Sequence, residues 1–544
     1  GDVINHEDLD WAAMTRAFAS GDRTPECARK LRGAFGLVVV DRGSKRLWVV
    51  TDPSAWIPVL IRVTDSNVIV STSLAAAIRA APAPATVNDN WIYESFYFNH
   101  GCGRTTPVVG IERLPPGTVT EVDLETREVA HHSLHARPSV PDSPLSGRDA
   151  VERAIEVFGT VVPRYFPDES PVTMGISEGL DCRTVLAALP ESEIRNLHSF
   201  TFGMPDSSEI VEAREIADHL GLTHTPVLLD AEFLDQLNDL ARDTVFLSGG
   251  QQNINRSHLL YTYSRLRIGD KPFPVIMTGV SGDHIFRDHI QGWGNVPHIL
   301  SADAAAQHRL GRHRVDREFY TQIFGARFEP FETRVESALD SLQEEFGEFG
   351  DPEGYLSYLM YDAGPRYFSG QAAIANTFST FRTPYWDPEI IELGYALKEA
   401  TAGFSASMPT KDLYKETYIQ TAVIAEHPLV GQLPYKNLPI SVYAQGKKKR
   451  FQSYRLLRKL RSMLKRNSFI HSEDWQHWYR TVMSDSVRQL LGRDSRMRNY
   501  VSAEFIDRAI SDADVHWLGK LITAEHTIRF VEDGWRSTWQ ERQA

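Results

Sequence analysis

Cysteine is nearly absent. In 544 residues only Cys27, Cys102 and Cys182 occur, too few and too scattered for a disulfide framework or a cysteine-built zinc site. A reducing cytoplasm is the expected setting. No window offers the roughly 18 uninterrupted apolar residues of a membrane helix, so no transmembrane segment is expected. The opening "GDVINHEDLDW" is polar and acidic, which does not read as a signal peptide. Positive charge is in deficit: 58 Lys and Arg stand against 71 Asp and Glu, a formal net charge of −13. That balance disfavours whole-protein attraction to nucleic acid. Internal repeats and low-complexity tracts are missing as well.

What is present is an ordinary globular composition, 42% hydrophobic and 24% charged, in a chain long enough for two to four domains at about 150 residues each. One stretch runs against the overall charge. Residues 446–466, "GKKKRFQSYRLLRKLRSMLKR", hold ten basic residues and no acid, with Leu456, Leu457, Leu460, Met463 and Leu464 spaced for one helical face. It reads either as a solvated cationic helix or as a dock for an acidic partner, an anionic lipid surface or an anionic substrate.

Residues 31–80 alternate short apolar runs with turns, the spacing of hairpin-linked strands. "RPSVPDSPLSG" (137–147) reads as a linker. Beyond it the period changes: "AVERAIEVFGTVV" is helical, "PVTMGI" a buried strand, "DCRTVLAAL" a helix, "LHSFTFG" a strand, "SSEIVEAREIADHLG" a helix and "HTPVLL" a strand. Such alternation predicts a parallel sheet covered by helices. Asp206 with Glu209 predicts a capped start for the third of these helices, and Gly221 its end. From about 300 onward the pattern is mostly helical. The division expected is a first domain over 1–140 and a second over 148–544.

Within "PVTMGISEGLDCRTVLAAL" (171–189) the loop between strand and helix lies where doubly wound sheets bind ligands and where a helix start offers free N–H groups to an anion. Ser177 offers a hydroxyl, Gly179 close backbone approach, and Asp181 a carboxylate for a divalent metal. A second strand, in "PVIMTGVSGDHIFRDH" (274–289), ends in a Gly/Ser turn with Asp283 at its tip. Two acids at the ends of two strands of one sheet are suited to share a Mg²⁺ and orient a nucleoside triphosphate.

These motifs together resemble the asparagine-synthetase-like enzymes, which include glutamine-dependent asparagine synthetases, β-lactam synthetases and lasso-peptide cyclases. Their pyrophosphate loop, S-G-G-x-D-S, is similar to "SEGLDC" (177–182), and their second loop, roughly G-x-G-x-D-E, to "GVSGDH" (279–284). "FRTPYWD" (381–387) resembles a later R-x-P-F-L-D signature, and Lys436 in "QLPYKNLP" matches the lysine that steadies the pyrophosphate. "LRGAFGLVVVD", "VVTDPSAWIPVL", "STSLAAAIRA" and "RTTPVVGIERLPPGTV" follow one another as in the family's amidotransferase sandwich.

The resemblance implies an α/β protein with a shortened Ntn-type αββα sandwich, then an ATP-pyrophosphatase (adenine nucleotide α hydrolase-like) domain with a helical C-terminal half. It implies ATP and Mg²⁺ as cofactors. Ser177, Glu178, Gly179, Leu180, Asp181, Cys182, Arg183, Gly279, Ser281 and Gly282 would face the nucleotide, Asp181 and Asp283 the metal, and Lys436 and His284 the chemistry. Gln251, Asn253 and His258, in "SGGQQNINRSHLL" (248–260), would contact substrate. The partners implied are a carboxylate and an amine, with a homodimer as a further expectation.

Several residues depart from the family pattern. The chain begins Gly1, Asp2 rather than with the glutaminase cysteine, so the sandwich is expected to lack glutaminase chemistry. Glu178 stands for a glycine, Cys182 for a serine, and Val280 for the Glu or Tyr that would act as base. Valine takes no proton, which leaves His284 either as substitute base or as an ordinary loop histidine. "HHSLH" (131–135) falls at the end of a predicted strand, which argues against zinc there. Three readings stay open: an ATP-dependent, AMP-forming amide ligase, an intramolecular cyclase, and a non-adenylating binding or scaffold protein.

Overall fold

The computed structural model describes residues 1–81, 84–167, 170–286, 315–349, 352–397, 418–435, 438–440 and 471–534. The apolar runs near the start form two antiparallel sheets. One pairs Gly36–Asp41, Arg46–Thr51, Thr118–Asp123 and Val129–Ser133 in that order; the other places Leu60–Val63 between Val68–Ser71 and Glu112–Arg113. Alternation along the strands divides the side chains between two faces. Val49 and Val122 of the first sheet pack on Val59, Ile61 and Leu114 of the second. The opposite face of the first sheet, with Trp48, Val50 and Val119, is covered by Met14 and Phe18 of the helix Trp11–Ala19 together with Ala28 and Leu31.

The second half of the chain is built on five parallel strands in the order Thr223–Leu228, His198–Gly203, Val172–Gly175, Val275–Met277, Thr380–Arg382. Chain order runs outward in one direction from Val172–Gly175 and then restarts on its other side, so this central strand marks the point where the topology reverses. Crevices at the carboxyl ends of strands open at such a point. The predicted strands and helices are present here. The helix Ser208–Leu220 differs in one detail: its N-cap is Ser207, and Asp206 instead adopts φ 60°, while Gly221 ends the helix in the left-handed region as expected. The fifth strand, Thr380–Arg382, lies in a stretch whose period read as helical. No helix among the described residues is long and apolar enough to cross a membrane.

The two halves are pinned together by Trp56. Asp52 accepts the backbone N–H groups of Ser54, Trp56 and Ile57, a tight turn that carries the indole outward from the sandwich. The ring, 2% exposed, sits among Phe368, Phe381 and Trp386 of the second half at centroid distances of 6.4, 6.0 and 5.4 Å. Removing a buried aromatic of this size costs about 3–5 kcal/mol. Trp56→Ala is therefore expected to lower unfolding stability by that amount in urea melts, with loss of the contact between the halves visible as faster proteolysis; an unchanged midpoint contradicts the pin.

Candidate functional site

The central strand ends at Gly175, and residues 176–179 turn into the helix Leu180–Leu186. Gly179 is the N-cap, exposed and without a side-chain cap, so the first amides of that helix are not consumed by a capping oxygen. Ser177 Oγ accepts the Gly179 N–H at 3.1 Å, which closes the turn. Cys182, in the serine position of the motif, is buried. Its Sγ lies 3.6 Å from the Ser177 carbonyl and 3.5 Å from that of Gly179, and burial pushes the thiol up. It braces the loop from inside and is poorly suited to be a nucleophile. Arg183 is fully buried behind the loop.

The second loop is pressed directly onto the first. A Cβ at Gly279 would stand 2.5 Å from Cys182 N and 2.7 Å from Asp181 C; one at Gly282 would stand 2.7 Å from both Asp181 Cγ and Tyr385 Cζ. Only glycine fits at such separations. Between them Ser281 adopts φ 76°, a left-handed conformation that costs a non-glycine residue energy and clusters at functional sites.

The segment after the fifth strand holds both loops. Tyr385 Oη donates to the Asp181 carbonyl at 2.8 Å, Thr383 Oγ1 to the Val280 carbonyl at 3.0 Å, and Trp386 Nε1 to Ser281 Oγ at 3.2 Å. Gln420, on the helix Tyr418–Glu426, donates from Nε2 to Asp181 Oδ1 at 2.7 Å. The motif spacing pointed to Asp181 but not to Gln420, which comes from 239 residues away. Thr383, Tyr385 and Trp386 were visible as a signature, without their roles.

Charge at the loop is unusual for a phosphate site. The Glu178 carboxylate is hydrogen-bonded to Glu212 of the helix Ser208–Leu220; burial first, then Glu178, pushes the Glu212 carboxyl up to about 7. Glu209 is also raised, by burial and then by Glu178 and Glu473. Below about 7 the Glu178–Glu212 pair holds a proton; above it the loop gains a negative charge.

Gln251, Asn253 and His258 lie around one cavity of about 350 Å³. Their side chains are partly committed. Gln251 Oε1 accepts from Ser369 Oγ at 2.7 Å, Asn253 Oδ1 accepts the Asn255 N–H at 2.9 Å, and His258 packs at a tilt on Phe202 and lies 3.4 Å from Glu473. Asp283 and His284 fall in the helix Gly282–Phe286, but their side chains are outside the described set, and Lys436 and the basic stretch 446–466 lie outside the described residues. Cys102 is buried with its thiol pushed well up by burial, and Cys27 is half-buried. In "HHSLH" His131 is hydrogen-bonded to Thr120 and His132 lies 3.4 Å from Glu121.

Residues 156–401 match the family described as asparagine synthase. The asparagine synthetase (glutamine-hydrolyzing) of Homo sapiens is 24% identical over 222 residues, 37% of this chain and 36% of that protein. That of Bos taurus is 25% identical over the same shares. The carboxyethyl-arginine beta-lactam-synthase of Streptomyces clavuligerus is 26% identical over 261 residues, 47% of this chain and 46% of that protein. The match thus spans less than half the length of each of these relatives.

The contact between the loops makes a direct prediction. Gly279→Ala forces a backbone shift in Asp181–Cys182, with an overpacking cost of about 1–3 kcal/mol. Thermal unfolding should show that loss, and Gly159→Ala, at a helical glycine with no neighbour within 4 Å of a Cβ, should show none. Equal effects at the two sites contradict the close packing.

Proposed function

Because residues 156–401 make this an asparagine-synthetase-like protein, we propose that it is an ATP- and Mg²⁺-dependent amide-forming ligase that releases AMP and pyrophosphate. The observation that carries the reading is the paired loop at the sheet's reversal point, with Asp181 oriented by Gln420 and a helix start after Gly179 that has no side-chain cap. That arrangement fits a nucleotide's phosphates; in this reading Asp181 and Asp283 would hold the metal, whose charge would offset that of the phosphates. In this reading the finer fold is a shortened Ntn-type sandwich joined to an ATP-pyrophosphatase-type domain.

A carboxylate is a poor electrophile at neutral pH, so activation must precede amide formation. A carboxylate oxygen attacks the α-phosphorus, and the bond to the pyrophosphate oxygen breaks. An amine then attacks the acyl carbon, the carbon–oxygen bond to AMP breaks, and the amine's proton passes to a base. Val280 is unable to take it; we assign that task to His284, and the neutralising of phosphate charge to Lys436. In this reading residues 1–544 carry no glutaminase chemistry, and the amine comes from free ammonia, a partner or the substrate itself. The last case is an intramolecular cyclase, a second reading favoured by the similarity to a beta-lactam-synthase. The acidic pair Glu178–Glu212 favours the third, a binding protein that does not adenylate.

The three readings separate by products. Incubated with Mg·ATP and a panel of carboxylates, the ligase yields AMP and pyrophosphate in equal amounts, with amide only when amine is added. A cyclase needs no amine, and ADP or no turnover contradicts both. The pH dependence is a second check. As pH rises through about 7, Glu212 loses its proton beside the phosphates, so Mg·ATP affinity is expected to fall. In Glu178→Gln, with one acid removed, affinity should be several-fold higher above that pH and its pH dependence flatter. An unchanged profile places the pair away from the nucleotide.

A further inference from the structure

Three metal-binding side chains of different kinds converge where the halves of the molecule meet. His100, Cys102 and Asp362 are all buried, and a ring nitrogen, the sulfur and a carboxylate oxygen lie within 4.8 Å of one another. The first two come from the turn after the helix Asp89–Phe98. The third comes from Leu359–Ala363, a π-helical turn between the helices Pro352–Tyr358 and Gly364–Ala375. Single π turns inside helices are rare and are frequent at functional sites.

The turn that carries His100 and Cys102 has little freedom. Asn99, at φ 70°, and Gly103, at φ 55°, are both left-handed. A Cβ on Gly101 would stand 2.7 Å from Trp91 Cδ1 and 2.9 Å from the Thr105 carbonyl oxygen, so the residue between the two side chains has to be glycine. The Cys102 N–H donates to Glu94 Oε2 at 2.7 Å, and Glu94 is tied in turn to Arg334.

The surrounding hydrogen bonds orient the three groups without using up the atoms that bind metal. His100 Nδ1 lies 3.1 Å from the Gly101 carbonyl; a carbonyl only accepts, so Nδ1 carries the proton and the lone pair is on Nε2. Arg366 Nε donates to Asp362 Oδ1 at 2.5 Å, while Oδ2 has a long contact of 3.5 Å with the Gly103 N–H. Cys102 is 4% exposed, and among the described residues no hydrogen bond reaches its free thiol. Outer partners of this kind, a backbone carbonyl on the histidine and a donor on the carboxylate, are what hold ligands around a metal.

We propose that His100, Cys102 and Asp362 form a zinc site that clasps the two halves, with water in the fourth position. Imidazole, thiolate and carboxylate are all zinc ligands, whereas Mg²⁺ prefers oxygen alone. Ligand atoms around a tetrahedral Zn²⁺ stand about 3.5 Å apart, so the widest pair has to close by little more than about an ångström. Binding replaces the S–H bond by a zinc–sulfur bond and the proton passes to solvent; thiolate and carboxylate then match the two charges of the ion. His100 also borders the cavity of about 350 Å³, the side from which the water enters. The site is independent of the nucleotide reading.

The test uses the full chain, stripped of metal with EDTA and titrated with Co²⁺ and then Zn²⁺. Wild type should show a thiolate-to-cobalt charge-transfer band that saturates at one Co²⁺ per chain, that Zn²⁺ removes and that excess Mg²⁺ leaves in place. Zn²⁺ should raise the melting temperature of wild type. Cys102→Ala should abolish the band, His100→Gln and Asp362→Asn should each weaken zinc binding tenfold or more, and Cys27→Ser should change neither. If Cys102→Ala does not fold, Asp362→Asn, which keeps an acceptor for Arg366, decides beside wild type. Three side chains that serve only the fold would leave wild type without any response to metal. The proposal is overturned if wild type gives no thiolate band in excess Co²⁺, if Zn²⁺ leaves its melting temperature unchanged, if the variants at His100 and Asp362 bind zinc as tightly as wild type, or if Cys27→Ser is the variant that loses the band.

Discussion

The structure around the candidate site depends on the absence of two side chains. At Gly279 the backbone of one strand-end loop meets the backbone of the other at Asp181–Cys182 with no space for a Cβ, and at Gly282 a Cβ would meet the side chains of Asp181 and Tyr385, so Asp181 is set by close contact on both its main chain and its side chain. Close packing of this kind has low compressibility and passes strain from one loop to the other. The loops are in turn closed from above by Tyr385, Thr383 and Trp386, and Asp181 is held by Gln420. A site assembled from rigid elements and locked by hydrogen bonds is preorganised for an oriented ligand.

The rest of the chain serves to keep those elements together. Trp56 carries the sandwich into an aromatic cluster that includes Trp386, the same residue that binds Ser281. The sandwich is therefore coupled to the loop pair through this indole, and also through Asp2, which pairs with Arg382, whose carbonyl accepts the Thr278 N–H. Arg113 adds a polar tie, since it bonds Ala55 on one side and Ser369 on the other. The cavity between the halves exists because these contacts leave a gap lined by polar groups from both, a common location for small-molecule sites.

Much of this was legible in the sequence. Strand and helix periods located the central strand, the loop and the parallel sheet, because apolar runs bounded by Gly are local signals. The loop residues Ser177, Gly179 and Asp181 were singled out by their place between strand and helix and by the company of a second strand-end loop, not by their spacing alone. What was hidden is long-range. Gln420 and Tyr385 reach Asp181 from more than 200 residues away, and no local pattern marks a hydrogen bond of that span. The short strand Thr380–Arg382 was masked by its helical surroundings. Ser207 displaced Asp206 as cap because the backbone turns left-handed at Asp206. His100 and Cys102 gave no metal signal, since their third partner, Asp362, comes from a distant segment.

The central claim is that the loop pair is a working nucleotide-phosphate site. The measurement that tests it most directly is titration of the protein with Mg·ATP by calorimetry, wild type beside Asp181→Ala. Saturable binding by wild type that weakens at least tenfold in the variant is the predicted result. No binding by wild type at millimolar Mg·ATP, or equal binding by both proteins, would contradict it.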